Sequence, residues 1–97
     1  RRQELQKLKI HPRDKEKNRL LLARGDRIFE ENTGEVRKYV GQFLGEFTAA
    51  LNTQDDRTIE KSYVRTSELF DIIDNSPKNS VILRVEKYLY DEWRRSQ

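Results

Sequence analysis

Between Val36 and Leu51 the apolar residues Val36, Tyr39, Val40, Phe43, Leu44, Phe47, Ala50 and Leu51 recur at steps of three and four. That is the period of an α-helix with one broad buried face, and such a face must meet other helices. Thr33 stands before the pattern as a candidate N-cap, and Glu35 falls in the first turn, where the helix dipole favours an acid. Gly41 and Gly45 lie one turn apart inside this helix. Each costs about 1 kcal/mol relative to alanine, which predicts a close helix approach as compensation.

The same period organises the rest of the chain. Leu5, Leu8 and Ile10 predict a short lead-in helix over residues 2–10, broken at His11-Pro12 because proline disfavours helical geometry before it and donates no hydrogen bond. Asp14 is the candidate cap of a second helix, about residues 14–31, carrying Leu20, Leu21, Leu22, Ala23, Ile28 and Phe29. The polar turn Arg24-Gly25-Asp26-Arg27 interrupts this stripe, and Gly25 weakens it locally. Asn32-Thr33-Gly34 supplies a turn, and Asn52-Thr53-Gln54-Asp55 a short loop. A fourth helix, capped by Asp55 or Asp56, carries Ile59, Tyr63, Thr66, Phe70 and Ile73, flanked by Leu69 and Ile72, and ends at Asn75-Ser76-Pro77. Ser80 caps a fifth whose face is Ile82, Val85, Leu89 and Trp93, with Val81 and Tyr88 beside it. Short loops make neighbours antiparallel. The expected fold is all-α: a short lead-in helix and one longer helix running into a compact antiparallel three-helix bundle.

Composition bounds this picture. Ninety-seven residues, 34% hydrophobic and 38% charged, fit one domain with a modest core. The absence of cysteine excludes a disulfide framework and Cys-type metal sites and fits a reducing compartment. No stretch approaches membrane-spanning length. The opening residues Arg1, Arg2, Gln3 and Glu4 lack both an initiator methionine and an apolar signal core, so the chain reads as a piece of a longer polypeptide: residues 1–31 as an arm, 33–96 as a bundle. Net charge is +3, with ten basic and five acidic side chains in residues 1–30 against ten and twelve in residues 31–97. The positive excess is N-terminal, yet acids and bases alternate there as on ordinary solvated helices.

Catalytic chemistry finds little to work with. His11, the single histidine, stands beside a proline and reads as a linker residue, no metal-ligand spacing occurs, and the glycines form no phosphate loop. Asp55-Asp56 and the pair Asp71 and Asp74 read as caps and solvated surface. A basic face from Arg1 through Arg27 raises nucleic-acid binding, but the aromatics Tyr39, Phe43, Phe47, Tyr63 and Phe70 fall on core stripes and leave no stacking platform.

Two stretches resemble a known family. Leu8-Lys9-Ile10-His11-Pro12-Arg13-Asp14, followed by residues Asn18 to Glu31, is similar to the C-terminal lid of DnaK-type heat-shock chaperones, closest to the short HscC-like branch. Residues Phe47 to Glu60 resemble the join between two lid helices in that family. The resemblance covers roughly residues 1–74. It implies that an ATPase domain and a β-sandwich with a peptide groove precede this chain in a parent protein, and that the chain covers the groove, slowing release of unfolded client peptides in the ADP state. It further implies that Asp26 is a latch to the sandwich and that Ile28 and Phe29 are contacts at the groove rim. The chain departs from the family in its shorter second helix and in the patterned tail from Val81 to Trp93, which implies a shorter reach over the groove.

The expected function is therefore a non-enzymatic gating lid, cytoplasmic, holding no cofactor of its own, with ATP or ADP in the preceding domain. Its partners would be the sandwich, client peptides and co-chaperones, with neither nucleic acid nor membrane; exposed apolar surface would allow the fragment to self-associate. The rivals are a basic helical domain docking nucleic acid or protein through residues 1–27, and a structural dimerisation domain.

Overall fold

The computed structural model describes residues 10–97, and the expected lead-in helix lies outside them except for Ile10, which is non-helical and exposed. Pro12–Asp14 forms a 3-10 turn, capped by His11, whose Nδ1 accepts from the Arg13 backbone N–H at 3.1 Å. Asp14 therefore belongs to this turn and does not cap the next helix, as the sequence led us to expect; Lys15 holds the cap position, with no side-chain bond. What fixes the junction is Asn18, almost fully buried, whose amide donates to the Pro12 carbonyl at 3.0 Å.

Four α-helices follow: α1 Glu16–Glu31, α2 Gly34–Thr53, α3 Asp56–Asn75 and α4 Val81–Arg95. Thr33 and Ser80 stand at the N-cap positions expected of them, without capping through their side chains. Asp55 does cap, its carboxylate accepting from the Thr58 N–H at 2.9 Å and the Thr58 hydroxyl at 2.7 Å. Gln54 ends α2 in the left-handed region at φ 57°, its N–H donating to Leu51 O.

Contacts between helices give their directions. Gly25 of α1 lies against Leu44 of α2 while Phe29 meets Gly41, so as α1 advances α2 retreats. Arg65 of α3 bonds Glu92 of α4 and Tyr88 bonds Glu68, again antiparallel. Lys17 pairs with Glu60, whereas Arg24 pairs with Asp71 and Asp74, so α1 and α3 run parallel. The order is up, down, up, down. Helices α2, α3 and α4 are in mutual contact, the bundle the sequence leads one to expect, and α1 packs on both α2 and α3; only α1 and α4 make no close approach to each other. The longer helix is thus a full member of the bundle, where the sequence led us to expect it only to run in.

The core holds Ile28 from α1, Val40, Phe43, Phe47 and Leu51 from α2, Leu69 and Phe70 from α3 and Val85 from α4. Phe47 meets Tyr63 edge-on with centroids 6.0 Å apart. Trp93, expected on the inner face of the last helix, is 56% exposed, so Val81 and Val85 alone anchor α4 deeply.

The close approach expected at Gly41 is there, with a Phe29 ring carbon of α1 at 3.3 Å from an added Cβ, but the one expected at Gly45 is not, since nothing lies within 4 Å. The tightest approach is at Gly25, where a Cβ would overlap the Leu44 side chain and come within 2.9 Å of Phe70. Its buried place in α1 turns the apparent interruption of the stripe into the point where three helices converge.

Candidate functional site

The residues flanking Gly25 divide between two sides of α1. Arg24 and Arg27, one turn apart, reach across to α3, where Asp71 and Asp74 are likewise one turn apart. The Asp74 carboxylate accepts from Arg24 Nη2 at 2.9 Å, Arg24 Nε at 3.1 Å and Arg27 Nη2 at 3.0 Å. Arg27 also holds Glu31 at 3.0 Å. Partial burial pushes the Asp74 carboxyl up, but the hydrogen bonds from Arg24 and Arg27 outweigh this and hold it below the usual carboxylate range. Asp71 and Asp74 are thus a clamp between α1 and α3, and not merely solvated surface. The signal in the sequence was the matching i, i+3 spacing of two arginines and two aspartates.

With both neighbouring arginines turned inward, Asp26 points outward alone. It is exposed, and the residues three and four positions away, Leu22, Ala23, Phe29 and Glu30, include no cation. Among the described residues it forms no ion pair. Leu20, Ala23 and Asp26 follow one another at steps of three along the outer side of α1, and Leu20 is 60% exposed. An unpaired carboxylate beside an apolar pair suits a surface carrying one cation and an apolar patch.

The two other residues assigned from the resemblance sit elsewhere. Ile28 is wholly enclosed in the core. Phe29 is half-buried, covering Gly41, with the Arg37 guanidinium stacked 4.1 Å above its ring. The outward apolar residue of α1 is Leu20, which the sequence hid inside the run Leu20-Leu21-Leu22 because an apolar triplet surrounds most of a helix.

A shallow groove of about 700 Å³ opens where α2, α3 and α4 diverge, floored by Ala49, Ala50, Val64 and Tyr88. Beside it Arg65 joins Glu46 and Glu92 and lies 4.2 Å above the Phe43 ring. Burial and the neighbouring Glu68 carboxylate push the Tyr88 phenol well above its ordinary value, so it stays a hydrogen-bond donor. Among the described residues no cluster of three His, Asp or Glu could hold a metal, and no helix is long and apolar enough to cross a membrane.

Fold and site define an all-α helical bundle whose first helix is clamped by charge to α3 and, among the described residues, presents Asp26 as an exposed carboxylate without an ion pair, as it does Glu16 and Glu30. Comparison of the chain with protein-family models, with curated proteins and with solved structures finds no match.

Proposed function

We propose that this chain is the helical lid of the peptide-binding domain of a DnaK-type chaperone, acting in the cytoplasm and gating release of unfolded clients under control of an ATPase domain elsewhere in the parent. The observation that supports this reading best is the outward, cation-free position of Asp26, the residue that the resemblance makes the latch. A lid that prefers the closed state lengthens the residence time of a client without touching much of it. In this reading Asp26 meets a cation on the β-sandwich, and the apolar contact falls to Leu20 and Ala23 because Ile28 is occupied inside the bundle. The chain itself contributes no catalytic group and holds no nucleotide.

The rival reading, a basic domain docking nucleic acid, has less support. Lys17 is engaged by Glu60 and lies 4.5 Å over Tyr63, and Arg24 and Arg27 are neutralised by Asp71 and Asp74, which leaves Arg13, Lys15 and Arg19 as the exposed cations without an ion pair among the described residues up to Arg27. A phosphate-binding surface needs its cations free.

The test is the dissociation rate of a labelled apolar peptide from the ADP-bound parent. Truncation before Arg1 should speed release, and Asp26→Ala in the full chain should do so in part. An unchanged rate after truncation would overturn the gating function, and steep salt-dependent binding of duplex nucleic acid by the chain would favour the rival.

A further inference from the structure

The groove between α2, α3 and α4 is lined by no residue of α1, so it lies apart from the Asp26 face. Ala49 and Ala50 of α2 and Ser62 of α3 bring little side-chain volume to it. On α4 the inward positions beyond Tyr88 and Leu89 pass to Glu92, whose carboxylate turns to Arg65, so no apolar side chain of that helix fills the gap. The space that remains, about 700 Å³, is within the range of small-molecule sites.

The charges around the groove are unevenly matched. Glu46 and Glu92 share Arg65, and Glu68 accepts the Tyr88 hydroxyl at 3.0 Å, so each acid that lines it has a donor. Asp55, in the adjoining loop, is turned to Thr58. Lys61 and Arg95 have no such partner. Both are exposed, as are Arg57 one turn before Lys61 and Arg94 next to Arg95, and among the described residues none of the four forms an ion pair. Lys61 and Arg95 also share one end of the groove: Arg65 meets Glu92 and Glu68 meets Tyr88, a register that brings residue 95 level with 61 and 62 of the antiparallel α3. A cation in the last turn of α4 suits the helix dipole, whereas Lys61, in the second turn of α3, stands near the positive end of its own helix.

We infer that the groove binds a small amphipathic acid, with its carboxylate between Lys61 and Arg95 and its apolar body over Ala49 and Ala50. Two like charges repel each other at one end of an apolar floor. A carboxylate relieves both through charge-assisted hydrogen bonds while the floor takes a hydrocarbon chain. A cationic or uncharged amphiphile gains only the floor. Size follows from Arg65. Bound to Glu46 on one wall and Glu92 on the other, its side chain crosses the groove one turn in from Lys61. From there to Thr58 is two helical turns, about 10 Å, shorter than an average helix and suited to a medium-chain carboxylate. An extended peptide would lay its backbone N–H and C=O groups on alanine side chains that offer them no partner.

Titration of the 97-residue chain with decanoate, kept below its micelle-forming concentration and followed by backbone amide NMR shifts, tests this. Saturable shifts are expected at Ala49, Ala50, Thr53 and Ser62, with decylammonium binding about tenfold more weakly or not at all. Replacing both cations, Lys61→Met with Arg95→Met, should weaken decanoate about tenfold and leave helicity by circular dichroism unchanged, because both side chains are exposed. Ala49→Leu, at an exposed position on the floor, should fill the groove and abolish saturable binding without unfolding the chain. No saturable shift, shifts centred instead on Leu83, Tyr90 and Trp93, equal binding of decylammonium, or indifference to both the double variant and Ala49→Leu would each overturn the assignment.

Discussion

Gly25 of α1 and Leu44 of α2 are packed so closely that the glycine has no room for a side chain. A Cβ there would overlap the Leu44 methyls and reach 2.9 Å from the Phe70 ring. Both neighbours are hydrophobic side chains tied into the core, so neither yields freely. Gly25→Ala should destabilise the chain by about 1–2 kcal/mol, strain outweighing the better helix propensity. Gly45→Ala, in open space, should instead stabilise it by about 0.5–1 kcal/mol. Urea unfolding of the two variants checks the opposite signs; equal effects would refute the account of Gly25.

The clamp on Asp74 makes stability depend on acid. Its folded pKa lies below the unfolded value, so the clamp contributes fully above the ordinary carboxylate value of about 3.9 and is lost as pH falls through the lower folded value. Asp74→Asn should cost about 1 kcal/mol at pH 7, modest because the clamp is partly solvated. The gap from the parent chain should narrow as the pH is taken well below 4. A pH-independent gap in unfolding free energy would show that the loss is one of packing and not of charge.

Trp93 and Val85 share a helix yet should differ sharply. Trp93→Ala should change stability by less than about 0.5 kcal/mol, because its side chain is mostly in water. Val85→Ala removes two methyl groups from a fully buried site and should cost about 1–3 kcal/mol. Thermal unfolding of both variants measures the contrast. A large loss for Trp93→Ala would mean that the tryptophan closes the bundle after all.

Asp26→Ala and Leu20→Ser should leave the melting temperature nearly unchanged, since both residues are exposed. Ile28→Ser should unfold the chain or nearly so, because it places a hydroxyl in a fully buried apolar site. This separates surface residues available for docking from those the bundle consumes. If Asp26→Ala speeds client release at unchanged stability, the effect belongs to the proposed latch and not to unfolding of the chain.

Much of this architecture was legible in the sequence because it rests on local rules. The three-and-four spacing of Val36, Val40, Phe43 and Phe47, the Asp55 cap and the stop at Pro77 specify helices through backbone hydrogen bonding and one-sided burial, whatever lies on the other side.

What depends on helices meeting was not legible. A glycine in open space and a glycine under a leucine look alike in sequence: of the two close approaches expected, the one at Gly41 occurs, against Phe29, the one at Gly45 does not, and the tightest is at Gly25. Ile28 and Trp93 exchanged the surroundings expected of them because each of these helices has two neighbours that cover only one side of it: Ile28 falls on the covered side of α1, Trp93 on the uncovered side of α4. The pairing of Arg24 and Arg27 with Asp71 and Asp74 spans nearly fifty residues. Periodicity determined that these helices form and which residues share a face. Only tertiary packing decided which face meets which, since that choice minimises exposed apolar area over the whole bundle and no single helix carries it.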